Sequence, residues 1–178
     1  MRTMIDALSA EFVRYKNLGD KTFTQLGPHE LSAPPPGGGN SIATICWHVS
    51  GNLRSRFTDF LTTDGEKPWR QRDEEFEARD VTEDALLEKW GEGWTVLIGA
   101  LDELADEHLD VTVKIRGVPL TVREALLRSL AHVSYHVGQI VYAGKMSRGA
   151  SWTCLSIPPG GSAQYNQNPT LERPEATK

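Results

Sequence analysis

The sequence predicts an all-α protein folded as an antiparallel four-helix bundle. Four segments place apolar residues three and four positions apart, the spacing that gathers them on one face of a helix. Capping residues and Gly-Pro breaks separate these segments. The chain has 178 residues, of which 39% are hydrophobic and 24% charged, so we expect one domain, residues 1–178, with a sizeable core.

The first helix is predicted over residues 5–26 and should end at Gly27 and Pro28. Glycine tolerates the left-handed conformation of a helix end, and proline cannot continue the hydrogen-bond ladder. The segment LSAPPPGGGN then serves as a connection, and a second helix runs over about 41–63.

The polar run DGEKPWRQRDEEFEARD follows the second helix and predicts a long solvated crossing, with at most a short helical turn. Thr82 begins a sequence similar to a capping box, and the third helix is expected from Ala85 to Leu104.

An excursion is predicted before the last helix, as a small β-hairpin or an extended segment. Val111, Val113 and Ile115 alternate with polar residues, and Arg116-Gly117 can reverse the chain. The fourth helix should then begin near Thr121 and reach about Met146.

The C-terminal tail has many turn residues and no helical periodicity. We expect its part through about Tyr165 to pack over one end of the bundle. Residues 166–178 are expected to be frayed.

Charge and composition exclude several function classes. The net charge is −5 and no Lys/Arg cluster stands out along the chain, so a nucleic-acid partner is not expected. The N-terminal segment is amphipathic, contains acidic residues and has no apolar signal core, and no run approaches the roughly 20 apolar residues of a membrane span. These features predict a cytoplasmic protein with a small-molecule partner. Two cysteines, Cys46 and Cys154, are too few for a disulfide framework.

Three of the five histidines can meet at one point. His132 and His136 are four positions apart, so both project from one face of the fourth helix. His48 lies in the second helix and can supply a third nitrogen if the two helices are neighbours. Burying imidazoles among apolar residues is costly unless they find partners, and a shared cation would provide one. His29 and His108 are expected to be solvent-facing loop residues.

A histidine pair alone is a weak signal, because helical histidines often sit at the surface or make ordinary hydrogen bonds. Three nitrogens with an open fourth position would match a catalytic zinc-like site rather than a structural one. Gln139 shares the face of His136, and Asn52 that of His48, so both could orient substrate or water. Val133 follows His132 where a zincin has glutamate, which excludes a conventional metalloprotease.

Several motifs together resemble the DinB-like superfamily, which includes bacillithiol S-transferases and mycothiol-dependent isomerases. They are NSIATICWHVSGNLRSRFTDF, RGVPLTVREALLRSLAHVSYHVGQIVYAGK and LSIPPGGSAQYNQ, and the last resembles an uncharacterised branch. The resemblance spans nearly the whole chain. It implies a four-helix bundle, a homodimer, and nickel or zinc held by His48, His132 and His136.

The resemblance also implies a chemistry in which a metal-bound water or thiolate acts on a small electrophile, and transfer of a low-molecular-weight thiol is the first hypothesis. Arg148 lies where the bundle could open toward the tail and is a candidate for binding the cofactor. Arg54 and Arg56 could bind a cofactor carboxylate, although a solvated helix face is the favoured interpretation. The alternatives are a metal-dependent hydrolase of a small substrate and a non-catalytic metal-binding bundle.

Overall fold

The computed structural model describes residues 3–173, and this part of the chain is mostly helical with a small antiparallel hairpin. The long helices are α1 (Met4–Phe23), α3 (Ile42–Phe57), α4 (Glu83–Asp102) and α5 (Val122–Arg148). The shorter elements are α2 (Pro28–Ser32), β1 (Thr112–Ile115), β2 (Val118–Thr121) and α6 (Ser162–Tyr165). None of the helices in residues 3–173 is both long and apolar enough to cross a bilayer.

The four long helices share one hydrophobic core. Helix α3 packs along α4, α1 packs along α5, and α3 also touches α5. Gly93 of α4 lies so close to α3 that a Cβ there would come within 2.6 Å of the Ser50 Cα atom. The largest fully buried side chains come from all four helices and include Phe12, Leu53, Trp90, Trp94 and Ile140.

Hydroxyl side chains begin all four long helices. Thr3, Ser41, Thr82 and Thr121 each accept a hydrogen bond from the backbone N–H three residues later, which satisfies a free donor of the first turn. The predicted caps at Thr82 and Thr121 are confirmed. The helix predicted to begin near Thr121 is α5. It reaches Arg148, just past the predicted end near Met146.

Two helix ends differ from the prediction. Gly27 and Pro28 begin the short helix α2 rather than following the first helix directly, because proline suits the first helical position. Helix α1 has already ended at Phe23. Helix α3 ends at Phe57, before the predicted boundary, since the next residues turn and Asp59 adopts a left-handed φ of 49°.

The predicted β-hairpin is confirmed. Strands β1 and β2 pair from Thr112↔Thr121 to Ile115↔Val118. Arg116 and Gly117, the two turn residues, have φ of 55° and 75°, as a two-residue turn with the twist of the strands requires.

The crossing between α3 and α4 contains the expected short helical turn, at Asp73–Phe76. The prediction that the crossing is solvated is wrong, because the side chains of Lys67, Arg70 and Glu75 are buried. Glu75 finds partners in α3 and in the crossing itself, and Lys67 finds partners in the loop that follows α3.

The C-terminal tail is tied to the end of α1. The Gln25 side chain exchanges two hydrogen bonds with the backbone of Thr153. The hydroxyl of Tyr165, the last residue of α6, accepts hydrogen bonds from the backbone of Thr170 and Leu171. The predicted frayed segment 166–178 falls partly on residues 174–178, which lie outside the described residues.

Candidate metal centre

The three predicted histidines come from the two helices that the sequence indicated. His48 projects from α3 and is 5% exposed, while His132 and His136 project from successive turns of α5. Because α3 and α5 pack against each other, the imidazoles meet, with ring centroids 4.6–5.2 Å apart.

The spacing of the ring nitrogens suits a single cation. One ligand atom from each histidine lies within 4.8 Å of the others, and the group could hold a metal ion. The Nε2 atoms of His48 and His132 are 3.2 Å apart. Two nitrogens bound to one tetrahedral ion at zinc–nitrogen distances would lie about 3.3 Å apart. The arrangement therefore fits a metal without a large rearrangement of these two rings.

A buried carboxylate fixes the orientation of His48. The His48 Nδ1 atom lies 2.9 Å from the Glu75 carboxylate, so this nitrogen carries the proton and donates it. The opposite nitrogen then presents its lone pair to the other histidines. Metal-binding histidines are commonly held in this way by an outer carboxylate.

Glu75 is in turn held by an arginine. Arg70 donates two hydrogen bonds to its carboxylate, at 2.7 and 2.8 Å, in a bidentate pair. Burial alone would raise the pKa of the Glu75 carboxyl, but the hydrogen bonds from Arg70 and His48 outweigh burial and lower it. Glu75 is therefore ionised at neutral pH.

His136 is oriented by Gln139. Its Nδ1 atom lies 2.8 Å from the Gln139 carbonyl oxygen, which can only accept a hydrogen bond. The His136 Nε2 atom is thus left without a proton when the ring is neutral. The structure places Gln139 behind the histidine, and its role toward a substrate stays a prediction.

His132 lacks a comparable partner. Its Nδ1 atom is buried and has no hydrogen-bond partner among residues 3–173. Its Nε2 atom faces the lone pair of His48, and two lone pairs at this distance repel unless a proton or a cation lies between them. A neutral His132 can place its one proton there as a hydrogen bond to His48, and a bound cation would take the place of that proton.

The imidazoles of α5 are neutral at physiological pH. Burial, reinforced by His136 and His48, lowers the pKa of His132 to about 3. Burial also lowers the pKa of His136, against a weaker opposing effect of Gln139. Neutral imidazole is the form that binds a metal, so protons do not compete strongly at pH 7.

A cavity of about 580 Å³ opens beside His48 and His132. Its volume lies within the range of small-molecule sites. Its wall carries no carboxylate from the described residues. The cationic residues of the wall are Arg56, Arg70, Arg72, Arg116 and Arg128.

The other predicted residues occupy different places. Asn52 lines the cavity one turn after His48. Arg56 also lines it, with a side chain only 10% exposed, so a solvated helix face is the wrong interpretation for this residue. Arg54 pairs instead with Glu92 at the surface.

Arg148 lies far along α5 from the histidines. The twelve positions from His136 to Arg148 correspond to about 18 Å of helix. Its guanidinium lies 3.6 Å from Glu30. Its predicted role in binding a cofactor stays a prediction.

Sequence reasoning missed Glu75 and Arg70, which lie in the polar crossing. A signal existed in Gly51, three residues after His48: a Cβ at this position would overlap the Glu75 carboxylate. Glycine thus leaves the space on α3 through which the carboxylate reaches the imidazole. A lone glycine in a helix indicates a close approach but does not identify the approaching group.

The hairpin wall of the cavity is anchored by Asp64. Its carboxylate accepts backbone hydrogen bonds from Glu66, Arg116 and Gly117 at 2.7–2.8 Å. The Arg116 side chain then meets Glu66, which also pairs with Arg56. The hairpin tip and the end of α3 are therefore held together beside the histidines.

A family model described as "Protein of unknown function (DUF1572)" matches residues 1–161. A solved structure is also similar, titled "Crystal structure of the conserved protein of locus from Enterococcus faecalis". The two share 18% identity and a TM-score of 0.63 over 84% of this chain and 99% of the other, a likeness that concerns the fold alone. No curated protein matches the sequence significantly.

We predict that Gly51→Ala weakens metal binding by about 10–100-fold, the usual effect of losing an outer-shell partner of a metal ligand. The added methyl group displaces Glu75 and so frees His48 to rotate. Zinc or nickel titration of the purified variant measures the change. Gly138→Ala is the control, because a Cβ there meets nothing within 4 Å. Equal affinity in wild type and Gly51→Ala would contradict this role of Glu75.

We predict that Asp64→Asn lowers the melting temperature at pH 7, and that the difference from wild type shrinks below about pH 4. The N–H of Glu66, followed by those of Gly117 and Arg116, lowers the pKa of Asp64. A carboxyl whose pKa is lowered by folding stabilises the fold at pH values above its ordinary pKa. This stabilisation is lost as the pH falls through the pKa of the carboxyl in the folded protein. Melting curves from pH 7 to 3 measure it, with exposed Asp102→Asn as control. A pH-independent difference would contradict the prediction.

Proposed function

We propose that this chain, which belongs to the DUF1572 family, is a metal-dependent enzyme that transfers a low-molecular-weight thiol to a small electrophile. One observation carries the proposal: the grouping of His48, His132 and His136 beside an arginine-lined cavity. We also infer a DinB-like antiparallel four-helix bundle, because the pairs α1–α5 and α3–α4 share one core.

His48, His132 and His136 would hold the metal, with nickel and zinc as the candidates because imidazole suits both. A bound divalent cation supplies a lowered pKa to a thiol that coordinates it, so that the thiolate forms at neutral pH. Glu75 and Gln139 hold His48 and His136 in the tautomers that leave Nε2 free.

The remaining residues of the wall would position the reactants. Asn52 lies next to His48 in the cavity, and its amide can both donate to and accept from a bound molecule. We propose Asn52 as a substrate-orienting residue and Gln139 as a positioning residue that acts through His136.

The cavity wall favours thiol transfer over hydrolysis. A hydrolase would gain from a carboxylate base, yet the described wall contains none and both Glu75 oxygens are engaged by Arg70 and His48. A purely structural metal would call for a fourth protein ligand, and the group found among the described residues has three members.

The proposed reaction also suggests where the protein works. Low-molecular-weight thiols are kept reduced in the cytoplasm, which we propose as its compartment. The concave shape and volume of the cavity suit a small molecule rather than a nucleic-acid backbone.

We further propose that the chain forms a homodimer through the outer face of α5. Four large apolar side chains on this helix are exposed, each by 48–67%. They lie within about 100° of one another around the helix axis and so form one stripe. The residues of the stripe are Leu127, Tyr135, Tyr142 and Met146.

We predict that metal-loaded wild type consumes an electrophilic chromophore such as 1-chloro-2,4-dinitrobenzene only when a thiol is added. We expect His132→Ala to lose its metal and to react at least 100-fold more slowly. This loss is larger than the usual effect of removing a residue that only supports a metal ligand. Elemental analysis and absorbance assays with a panel of bacterial thiols measure both effects. Exposed His29→Ala is the control. Turnover that is independent of every thiol would eliminate the transferase, and equal negligible metal in wild type and His132→Ala would eliminate the site.

We predict that wild type sediments as a dimer at tens of micromolar and that Tyr142→Glu shifts it to monomer, because a buried charge at the centre of the stripe is strongly unfavourable. Analytical ultracentrifugation distinguishes the two states. Leu87→Glu, at an exposed apolar position on α4, is the matched control. A monomeric wild type, or a dimer that Tyr142→Glu leaves intact, would refute this interface.

A further inference from the structure

The cavity beside the histidines is strongly cationic, although the chain as a whole is acidic. Its five guanidinium groups come from four separate places in the sequence: α3, the crossing, the hairpin turn and α5. Like charges repel, so gathering them around one concavity is unfavourable without anions. The carboxylates that pair with these arginines therefore show how much of the positive charge the chain itself neutralises.

The chain supplies only part of the neutralising charge. Glu75 pairs with Arg70, and Glu66 pairs with both Arg56 and Arg116. Asp73 lies 3.7 Å from Arg72 but is fully exposed to solvent. Five guanidinium groups against these three carboxylates leave a formal excess of two positive charges at the wall.

Arg128 is the clearest free cation of the wall. It lies on α5 four residues, about one turn, before His132, so the two side chains share one face of the helix. It forms no ion pair within residues 3–173 and is exposed. Its guanidinium can thus offer a bidentate fork to a carboxylate or phosphate without breaking an existing bond.

We propose that this cavity binds a small molecule carrying two oxyanion charges, as carboxylates or as a phosphate, and that Arg128 is a principal contact. The proposal names the substrate class of the site described above and so rests on the proposed function. The ligand places its anionic groups on the guanidinium groups, while its reactive end faces His48 and His132. Arg72 supplies a second partly free cation.

Binding calorimetry on the full chain, in metal-free and metal-loaded form, tests the proposal with three probes. They are succinate, inorganic phosphate and succinamide, the neutral isostere of succinate. We expect at least one anion to bind and succinamide not to bind. Arg128→Gln should weaken anion binding about 10–100-fold, the usual range for a lost charged hydrogen bond. Arg123→Gln on the same helix, where Arg123 pairs with Asp110, should leave it unchanged.

The two anionic probes distinguish a dicarboxylate from a phosphate site. Binding of neither anion to wild type overturns the proposal, as does an equal loss in Arg128→Gln and Arg123→Gln. The His132→Ala variant separates a failure of the anion site from a failure of the metal site. If it binds no metal yet keeps an anion affinity that depends on Arg128, the anion site stands whatever the metal does. If wild type holds metal but its anion binding ignores Arg128→Gln, the anion proposal fails alone.

Discussion

The hydrogen bonds that join Arg70, Glu75 and His48 determine how the rest of the site is built. A buried carboxylate costs several kcal/mol unless it is paired and hydrogen-bonded, and Glu75 meets both conditions through two partners. To keep them, the crossing after α3 must pass close to the helix, over Gly51. The same contacts turn the free nitrogen of His48 toward α5. These buried hydrogen bonds thus fix the path of the crossing, the tautomer of His48 and one wall of the cavity.

The features that the sequence predicted well are those with local causes. Helix α5 begins directly after Thr121 because the side chains of Thr121 and Glu124 each accept a hydrogen bond from the other residue's backbone N–H, a pattern contained in four residues. The hairpin turns at Arg116-Gly117 because two left-handed residues suit the strand twist. The pair His132 and His136 follows from helical spacing alone. His48 needed one further assumption, that α3 and α5 are neighbours, which the structure confirms.

The features that the sequence did not predict depend on contacts between distant segments. The polar crossing has no periodicity, so nothing local distinguishes buried Glu75 from exposed Glu74. The sequence does not reveal the cationic cavity, because Arg56, Arg116 and Arg128 are far apart along the chain and only the fold brings them together. The early end of α3 is set by the turn that delivers Asp64 to the hairpin.

The position of the negative charge would allow the proposed site to bind both a cation and an anion. Arginines near the histidines oppose a bound metal by Coulomb repulsion, so some negative charge is needed close by. A carboxylate on the cavity wall would supply it but would also occupy the guanidinium groups that a ligand needs. Glu75 instead lies behind the His48 ring, where its charge reaches the histidines through the imidazole. The proposed ligand would therefore still meet Arg72 and Arg128, while the charge of Glu75 would favour the proposed metal.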